Sequence, residues 1–116
     1  MAVPPMTVVE TQEFLKRSKP LLSASERADL VAYVGANPEA GEIIRGTGGV
    51  RKIRWALEGR GRRGGARVIY YFHNERQPVF LLSAYAKNRR ADLSQSERNE
   101  MKRLVPALVA GYGSKA

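Results

Sequence analysis

The sequence predicts an α+β domain whose elements follow the order β-α-α-β-β-β-α. Segments near both ends combine helix-capping residues with apolar residues at helical spacing. Between them, from Gly46 onward, glycines separate runs of β-branched and aromatic residues, which are typical of strands. The length of 116 residues fits about one domain of two packed layers. Residues 1–116 are therefore predicted to form a single domain.

The amino-terminal part predicts a short strand followed by a helical hairpin. Residues 6–9 form the strand, and the first helix must end near Pro20 because proline breaks a helix interior. Ser23 and Glu26 have the spacing of a capping box, which begins the second helix. Asn37, directly before a proline, ends it.

The middle of the chain predicts three strands. Residues 50–57 and 66–73 flank a glycine-rich turn region and predict a hairpin. Residues 79–86 are apolar enough to lie in the interior of the sheet.

The carboxyl-terminal part predicts one helix. Ser94 and Glu97 form another capping box, and apolar residues follow at helical spacing. Pro106 is expected to kink or end this helix. Residues 111–116 are expected to form a frayed tail.

The positive charge is concentrated in one segment. Residues 45–67 carry eight Lys or Arg against one Glu, which is seven of the chain's nine net positive charges. A local excess of cations favours a nucleic acid as partner. No apolar run approaches the roughly 20 residues that span a bilayer, so no membrane partner is expected. The start of the chain lacks a secretory signal, which favours a cytoplasmic location.

The residue inventory excludes several chemistries. Without cysteine there is no disulfide, no thiolate nucleophile and no cysteine-ligated zinc. The single histidine, His73, cannot form a two-histidine acid and base pair. Asp92, Glu97 and Glu100 are conceivable metal ligands, but helix capping explains Glu97 better. We expect neither a metal nor another cofactor.

Lysines, arginines and a tyrosine remain as candidates for chemistry. Side chains alternate between the two faces of a strand, so Lys52 and Arg54 share one face while Trp55 lies on the core face. The following strands add Arg67, Tyr85 and Lys87. If the sheet forms as predicted, these five side chains converge on one concave face.

This set suits cleavage of RNA without a metal. Arginine grips phosphate with two hydrogen bonds but cannot act as a base. Neighbouring like charges disfavour the protonated form of a lysine, and Lys52 is flanked by Arg51 and Arg54. A neutral Lys52 would take the proton of an RNA 2'-hydroxyl while the arginines stabilise charge on the adjacent phosphate. From the charge pattern alone, binding of nucleic acid without chemistry remains the simpler interpretation.

Other residues of the basic segment have less specific assignments. Three loop arginines suit either phosphate contacts or solubility: Arg60, Arg62 and Arg63. Arg45 and Arg51 have no assigned role. Trp55 is assigned to the core, and Tyr70 and Tyr71 are assigned to the sheet, where one of them could stack on a base.

Three segments of the chain, NPEAGEIIRGTGGVRKIRW, GGARVIYYF and LLSAYAKNRRADLSQSERN, closely resemble the HigB-like branch of the RelE/ParE toxin superfamily from bacterial type II toxin–antitoxin systems. The resemblance covers residues 10–108. It implies a RelE-like fold, which is a small twisted, mainly antiparallel sheet with an N-terminal helical hairpin and a C-terminal helix. It also implies a ribosome-dependent, metal-independent endoribonuclease that cleaves messenger RNA and inhibits translation.

By position, the resemblance assigns catalytic roles to Lys52, Arg54, Arg67 and Lys87. RelE itself has a further arginine and a tyrosine near the start of the last helix. This chain offers Arg89 and Arg90 there, which are expected to contact RNA or the ribosome, but no tyrosine.

Because this chain has no tyrosine near the start of the last helix, the resemblance does not identify the group that protonates the leaving 5'-oxygen. Tyr85 and Lys87 are the candidates.

The resemblance also implies partners and alternatives. The expected partners are the ribosome, its messenger RNA, and an antitoxin that is a helix-turn-helix DNA-binding protein. The superfamily includes ParE-like toxins that inhibit DNA gyrase, and fold alone does not fix function. A gyrase inhibitor and a nonenzymatic RNA-binding or ribosome-binding protein are therefore the alternatives.

Overall fold

A computed structural model describes residues 5–57, 65–87 and 92–113 of the chain. In these ranges the elements are β1 (Val8–Glu10), α1 (Gln12–Ser18), α2 (Ala24–Ala36), β2 (Glu42–Ile43), β3 (Val50–Trp55), β4 (Ala66–Tyr71), β5 (Val79–Ala86) and α3 (Gln95–Gly113). The predicted α+β class is confirmed. The sequence pattern missed β2, because two exposed residues are too few to show alternation.

The five strands form one sheet in the order β1-β5-β4-β3-β2. β1 pairs with β5 in parallel, and the other neighbours are antiparallel. The expected hairpin of β3 and β4 is present, with Val50 opposite Tyr71 and Trp55 opposite Ala66. The sheet is therefore mainly antiparallel, as the resemblance implied.

The last two helices begin at the predicted caps, and α1 begins after an N-cap at Thr11. The Thr11 hydroxyl accepts a hydrogen bond from the Phe14 N–H at 3.2 Å and donates one to the Leu81 carbonyl at 2.7 Å, so it also ties α1 to β5. Ser23 and Glu26 exchange the two hydrogen bonds of a capping box at α2. Ser94 and Glu97 do the same at α3.

Each face of the sheet carries its own apolar core. The face under α1 and α2 holds Phe14, Leu30 and Tyr70, which are fully buried. The face under α3 holds Phe80 and Ile69, with Val105 of the helix packed against them. The chain thus covers its sheet with helices on both sides.

Pro106 lies inside α3, which continues to Gly113. Of the two predicted effects of this proline, ending the helix is excluded, and a kink stays a prediction. Residues 111–113, where the predicted frayed tail begins, are the last residues of α3. Residues 114–116 lie outside the described ranges.

Candidate functional site

Three polar side chains form a row across the sheet, on the face that α3 covers. Arg54 of β3 is the direct partner of Arg67 on β4, and Arg67 is the direct partner of Tyr85 on β5. Direct cross-strand partners point to the same face, with Cβ atoms about 4.5–5.5 Å apart. Lys52 lies two residues before Arg54 and therefore on this face as well. The register of three strands thus brings these four side chains together.

A surface cavity of about 440 Å³ lies along this row. Its cationic lining consists of Lys52, Arg54, Arg67 and Lys87. Glu42, the cross-strand partner of Lys52, is the acid of the lining. The structure therefore brings four of the five predicted catalytic residues to one cavity.

Tyr85 is placed differently from the other candidates. It is only 6% exposed, packs in the α3-side core and is not among the residues lining the cavity. Arg67, its neighbour, is 7% exposed and keeps its place in the cavity wall. A guanidinium that is largely shielded from water interacts more strongly with a phosphate than an exposed one does.

Lys52 has an ion-pair partner that the sequence did not indicate. Its ammonium nitrogen lies 3.4 Å from Oδ2 of Asp92, and the same oxygen lies 3.1 Å from Nη2 of Arg98. Burial alone would raise the pKa of the Asp92 carboxyl. The Leu93 N–H hydrogen bond, Lys52 and Arg98 outweigh it and hold that pKa below its ordinary value. Asp92 therefore links Arg98 of α3 to Lys52, one of the cations that line the cavity.

This contact corrects the argument that Lys52 is crowded by like charges on both sides. Arg51 points to the other face, where its guanidinium donates to the carbonyls of Glu39 at 3.2 Å and Gly41 at 2.8 Å. The charge nearest to the Lys52 ammonium is therefore the carboxylate of Asp92. Arg51, which had no assigned role, anchors the chain segment ahead of β2.

Tyr70 fixes the same segment from beneath. Its hydroxyl donates to the Pro38 carbonyl at 2.9 Å and accepts from the Gly41 N–H at 2.8 Å. Burial raises the pKa of this tyrosine. A Cβ added to Gly41 would lie 2.7 Å from the Lys52 carbonyl oxygen and 2.8 Å from the Tyr70 ring, so only glycine fits this close approach. Gly41 lines the cationic cavity, and these bonds hold that wall.

The expectation that Tyr70 or Tyr71 stacks on a base is wrong. Tyr70 is fully buried, and Tyr71 is 6% exposed within the α3-side core. Neither ring is open to a ligand, because Tyr70 packs in the core under α1 and α2 and Tyr71 packs in the core under α3.

Five predicted RNA contacts lie outside the described residues: Arg60, Arg62, Arg63, Arg89 and Arg90. Within the described ranges, no group of three or more metal-ligating side chains comes together. In the same part of the chain, no helix has the length and apolar character needed to cross a membrane.

The comparisons with known proteins agree with this architecture. The sequence model of a family described as the RelE toxin of the RelE / RelB toxin–antitoxin system matches residues 8–113. The chain is also similar to the Escherichia coli toxin RelE, whose structure was solved in the free state as a double arginine-to-alanine mutant. The TM-score is 0.54 at 22% sequence identity, over 85% of this chain and 95% of that one. This neighbour supports the fold, and the family match spans nearly the whole chain: the protein belongs to the RelE toxin family of toxin–antitoxin systems.

Proposed function

We propose that this protein inhibits translation as an endoribonuclease that cleaves messenger RNA on the ribosome. One observation carries the proposal, which is the cationic cavity where Arg54 and Arg67 lie directly opposite each other beside Lys52 and Lys87. Family membership supports the toxin role and an antitoxin as partner. Within the superfamily, we assign the chain to the HigB-like branch as part of this proposal.

The cavity suits binding of one phosphodiester. Within the described residues, neither Arg54 nor Arg67 forms a salt bridge, so their guanidinium groups are available for a phosphate. Two guanidinium groups can contact both non-bridging oxygens and stabilise the charge that develops in the pentacoordinate transition state. These contacts need no metal ion.

The proposed reaction is an internal attack within the RNA. The 2'-oxygen bonds to the adjacent phosphorus as its proton passes to a base, and the bond from phosphorus to the 5'-oxygen breaks as that oxygen receives a proton. The products are a 2',3'-cyclic phosphate and a 5'-hydroxyl. Lys52 is the proposed base and Lys87 the proposed acid, because both line the cavity. Tyr85, the other acid candidate, would have to act from its buried place beside Arg67.

The pairing of Lys52 with Asp92 adds a condition to this mechanism. The Lys52 ammonium lies 3.4 Å from the Asp92 carboxylate, so this ion pair occupies the proposed base in the free protein. RNA binding would therefore have to separate the two groups. A pH–rate profile of cleavage reports the groups that transfer protons in this reaction.

A map of transcript ends after brief expression tests the proposal. We expect breaks inside translated reading frames, with 5'-hydroxyl ends, and none when translation is blocked beforehand. Intact transcripts together with loss of gyrase activity would favour the ParE-like alternative. Growth inhibition with intact transcripts and normal gyrase would favour a nonenzymatic ribosome-binding protein.

The partner is proposed to be a helix-turn-helix antitoxin. Copurification of the two proteins from the native operon tests this directly. The cationic surface suits the ribosome and messenger RNA as the other partners.

A further inference from the structure

A second cavity, of about 510 Å³, lies between α2 and β3. Asp29 and Tyr33 are four residues apart on α2 and therefore share one helix face. They line this cavity together with Trp55 of β3. Its position follows from the sheet, because β2 pairs only with Arg51 and Lys52 and leaves the outer edge of β3 uncovered beyond them in the described residues.

The two cavities adjoin each other. Ala40, Ile53 and Arg54 line both. A ligand group in the cationic cavity would therefore have its covalent neighbour next to the second cavity. Because a phosphate in RNA is flanked by nucleosides, the adjoining space is where a nucleoside of the bound strand would lie.

The lining of the second cavity suits a base and not a phosphate. The rings of Tyr33 and Trp55 are in contact, with centroids 5.6 Å apart and planes inclined by 53°. Tyr33 is 41% exposed, and Trp55 is half-buried at the margin of the core, so both rings remain accessible to a ligand. Every nucleobase can stack on such rings, which makes aromatic side chains the usual platform for single-stranded nucleic acid.

The carboxylate in this lining determines which bases fit. Asp29 is an exposed acid that forms no salt bridge within the described residues. A carboxylate repels phosphate but accepts hydrogen bonds from the amino groups of adenine, cytosine and guanine. Uracil has no amino group and offers a single ring N–H instead. Glu26 also lines the cavity, but its carboxylate serves the α2 capping box.

We infer that this second cavity binds a base of the RNA strand whose phosphate occupies the cationic cavity. The base stacks on Tyr33 and Trp55, and Asp29 accepts a hydrogen bond from its amino group. The inference deepens the proposed nuclease function and rests on it for the identity of the strand. It replaces the earlier suggestion of base stacking by Tyr70 or Tyr71, and it adds a ligand contact to the core role of Trp55.

The single tryptophan of the chain makes the inference directly measurable. The probes are short single-stranded RNAs with 2'-O-methyl groups, which remove the attacking hydroxyl, in four versions that differ in base. Anisotropy of a dye on the RNA gives Kd, and Trp55 fluorescence reports contact at the second cavity. We expect quenching of Trp55 on binding, and tighter binding of amino-bearing bases than of uracil.

Four variants separate stacking from structure. Tyr33→Ala should weaken binding of the RNA by about tenfold, in the range of losing one stacked base. Tyr33→Phe keeps the ring and should restore it. Asp29→Asn should reduce the preference for amino-bearing bases over uracil, whereas Glu75→Gln, a matched loss of charge in the turn before β5, should leave that preference intact.

The outcomes distinguish this inference from the proposed function. The first outcome is RNA binding that depends on Arg67, yet stays unchanged in Tyr33→Ala and causes no change in Trp55 fluorescence. That result would overturn the base site but would not contradict the proposed nuclease function. A Tyr33→Ala defect in antitoxin binding alone would also overturn it, because the cavity would then serve a peptide. Base-dependent quenching without any cleavage of transcripts would support the base site and refute the nuclease.

Discussion

Arg54 and Arg67 are direct cross-strand partners, so two positive side chains face each other on adjacent strands. Like charges in this position destabilise a sheet. Within the described residues neither arginine has a salt bridge that would offset the repulsion. Such an arrangement reduces stability and is expected where a bound anion, such as the proposed phosphate, would neutralise the two charges.

Replacing Arg54 should therefore separate stability from activity. In Arg54→Thr the repulsion disappears and a β-branched residue replaces the arginine, so we expect the free energy of unfolding to rise by about 0.5 kcal/mol. Growth inhibition should fall at the same time, because a phosphate contact is lost. Urea denaturation and colony counts after induction measure the two effects.

The matched control is Arg76→Thr, which removes an exposed arginine from the turn before β5. It should leave toxicity unchanged. A stable but fully toxic Arg54→Thr protein would place Arg54 outside the phosphate site.

Arg67 should not tolerate lysine. Its guanidinium is largely buried and offers two parallel hydrogen bonds to a phosphate, whereas an ammonium offers a single point of charge. We expect Arg67→Lys to fold and to lose more than about tenfold of cleavage, and Arg67→Ala to abolish growth inhibition. Primer extension on a translated message measures cleavage, and circular dichroism verifies the fold. A folded Arg67→Ala protein with full toxicity would remove Arg67 from the site.

Most of the architecture was predictable because local signals and tertiary structure agree. Ser23 with Glu26 and Ser94 with Glu97 form the capping boxes that their spacing predicts. Residues 79–86 form a strand with the predicted bounds. Capping and apolar runs act over a few residues, so a single sequence contains them in full.

The faces of β5 were less predictable. Alternation would place Leu82 and Tyr85 on opposite faces, because they are three residues apart. Both lie in the α3-side core, since an irregularity in the β4–β5 pairing opposite Ile69 and Tyr70 shifts the register by one residue. This shift places Tyr85 beside Arg67, and no pattern in the sequence marks it.

The long-range polar contacts at the site could not be predicted from the sequence either. Asp92 and Lys52 are forty residues apart, and Tyr70 and Gly41 are twenty-nine apart. Each pair depends on how the sheet brings distant segments together. In the sequence Asp92 was only a conceivable metal ligand, because no local pattern shows its contact with Lys52.

Asp92 should make the protein sensitive to acid. Its pKa is lowered in the folded state, so the unfolded chain binds a proton more readily and stability rises with pH across this range. The stabilisation is present above the ordinary pKa of an aspartate and is lost as pH falls through the lower folded value. We expect Asp92→Asn to be less stable than the wild type at neutral pH and to lose less stability on acidification. Urea denaturation at a series of pH values measures both.

The control for this series is Asp29→Asn, which removes an exposed carboxylate that forms no salt bridge in the described part of the chain. Its acid profile should follow the wild type more closely. If Asp92→Asn and the wild type lost stability in parallel, the links from Asp92 to Lys52 and Arg98 would contribute nothing in solution.

Tyr70→Phe should loosen the wall of the cationic cavity. The change keeps the buried ring but leaves the Gly41 N–H and the Pro38 carbonyl without their partner. An unpaired buried polar group costs about 1–3 kcal/mol, so we expect a loss of that order in the free energy of unfolding. Tyr33→Phe removes the same hydroxyl from an exposed tyrosine and should change stability by less than about 0.5 kcal/mol. Because Gly41 lines the cavity beside Lys52, Tyr70→Phe should also weaken binding of a 2'-O-methyl RNA, and an unchanged Kd would show that the segment ahead of β2 does not shape the site.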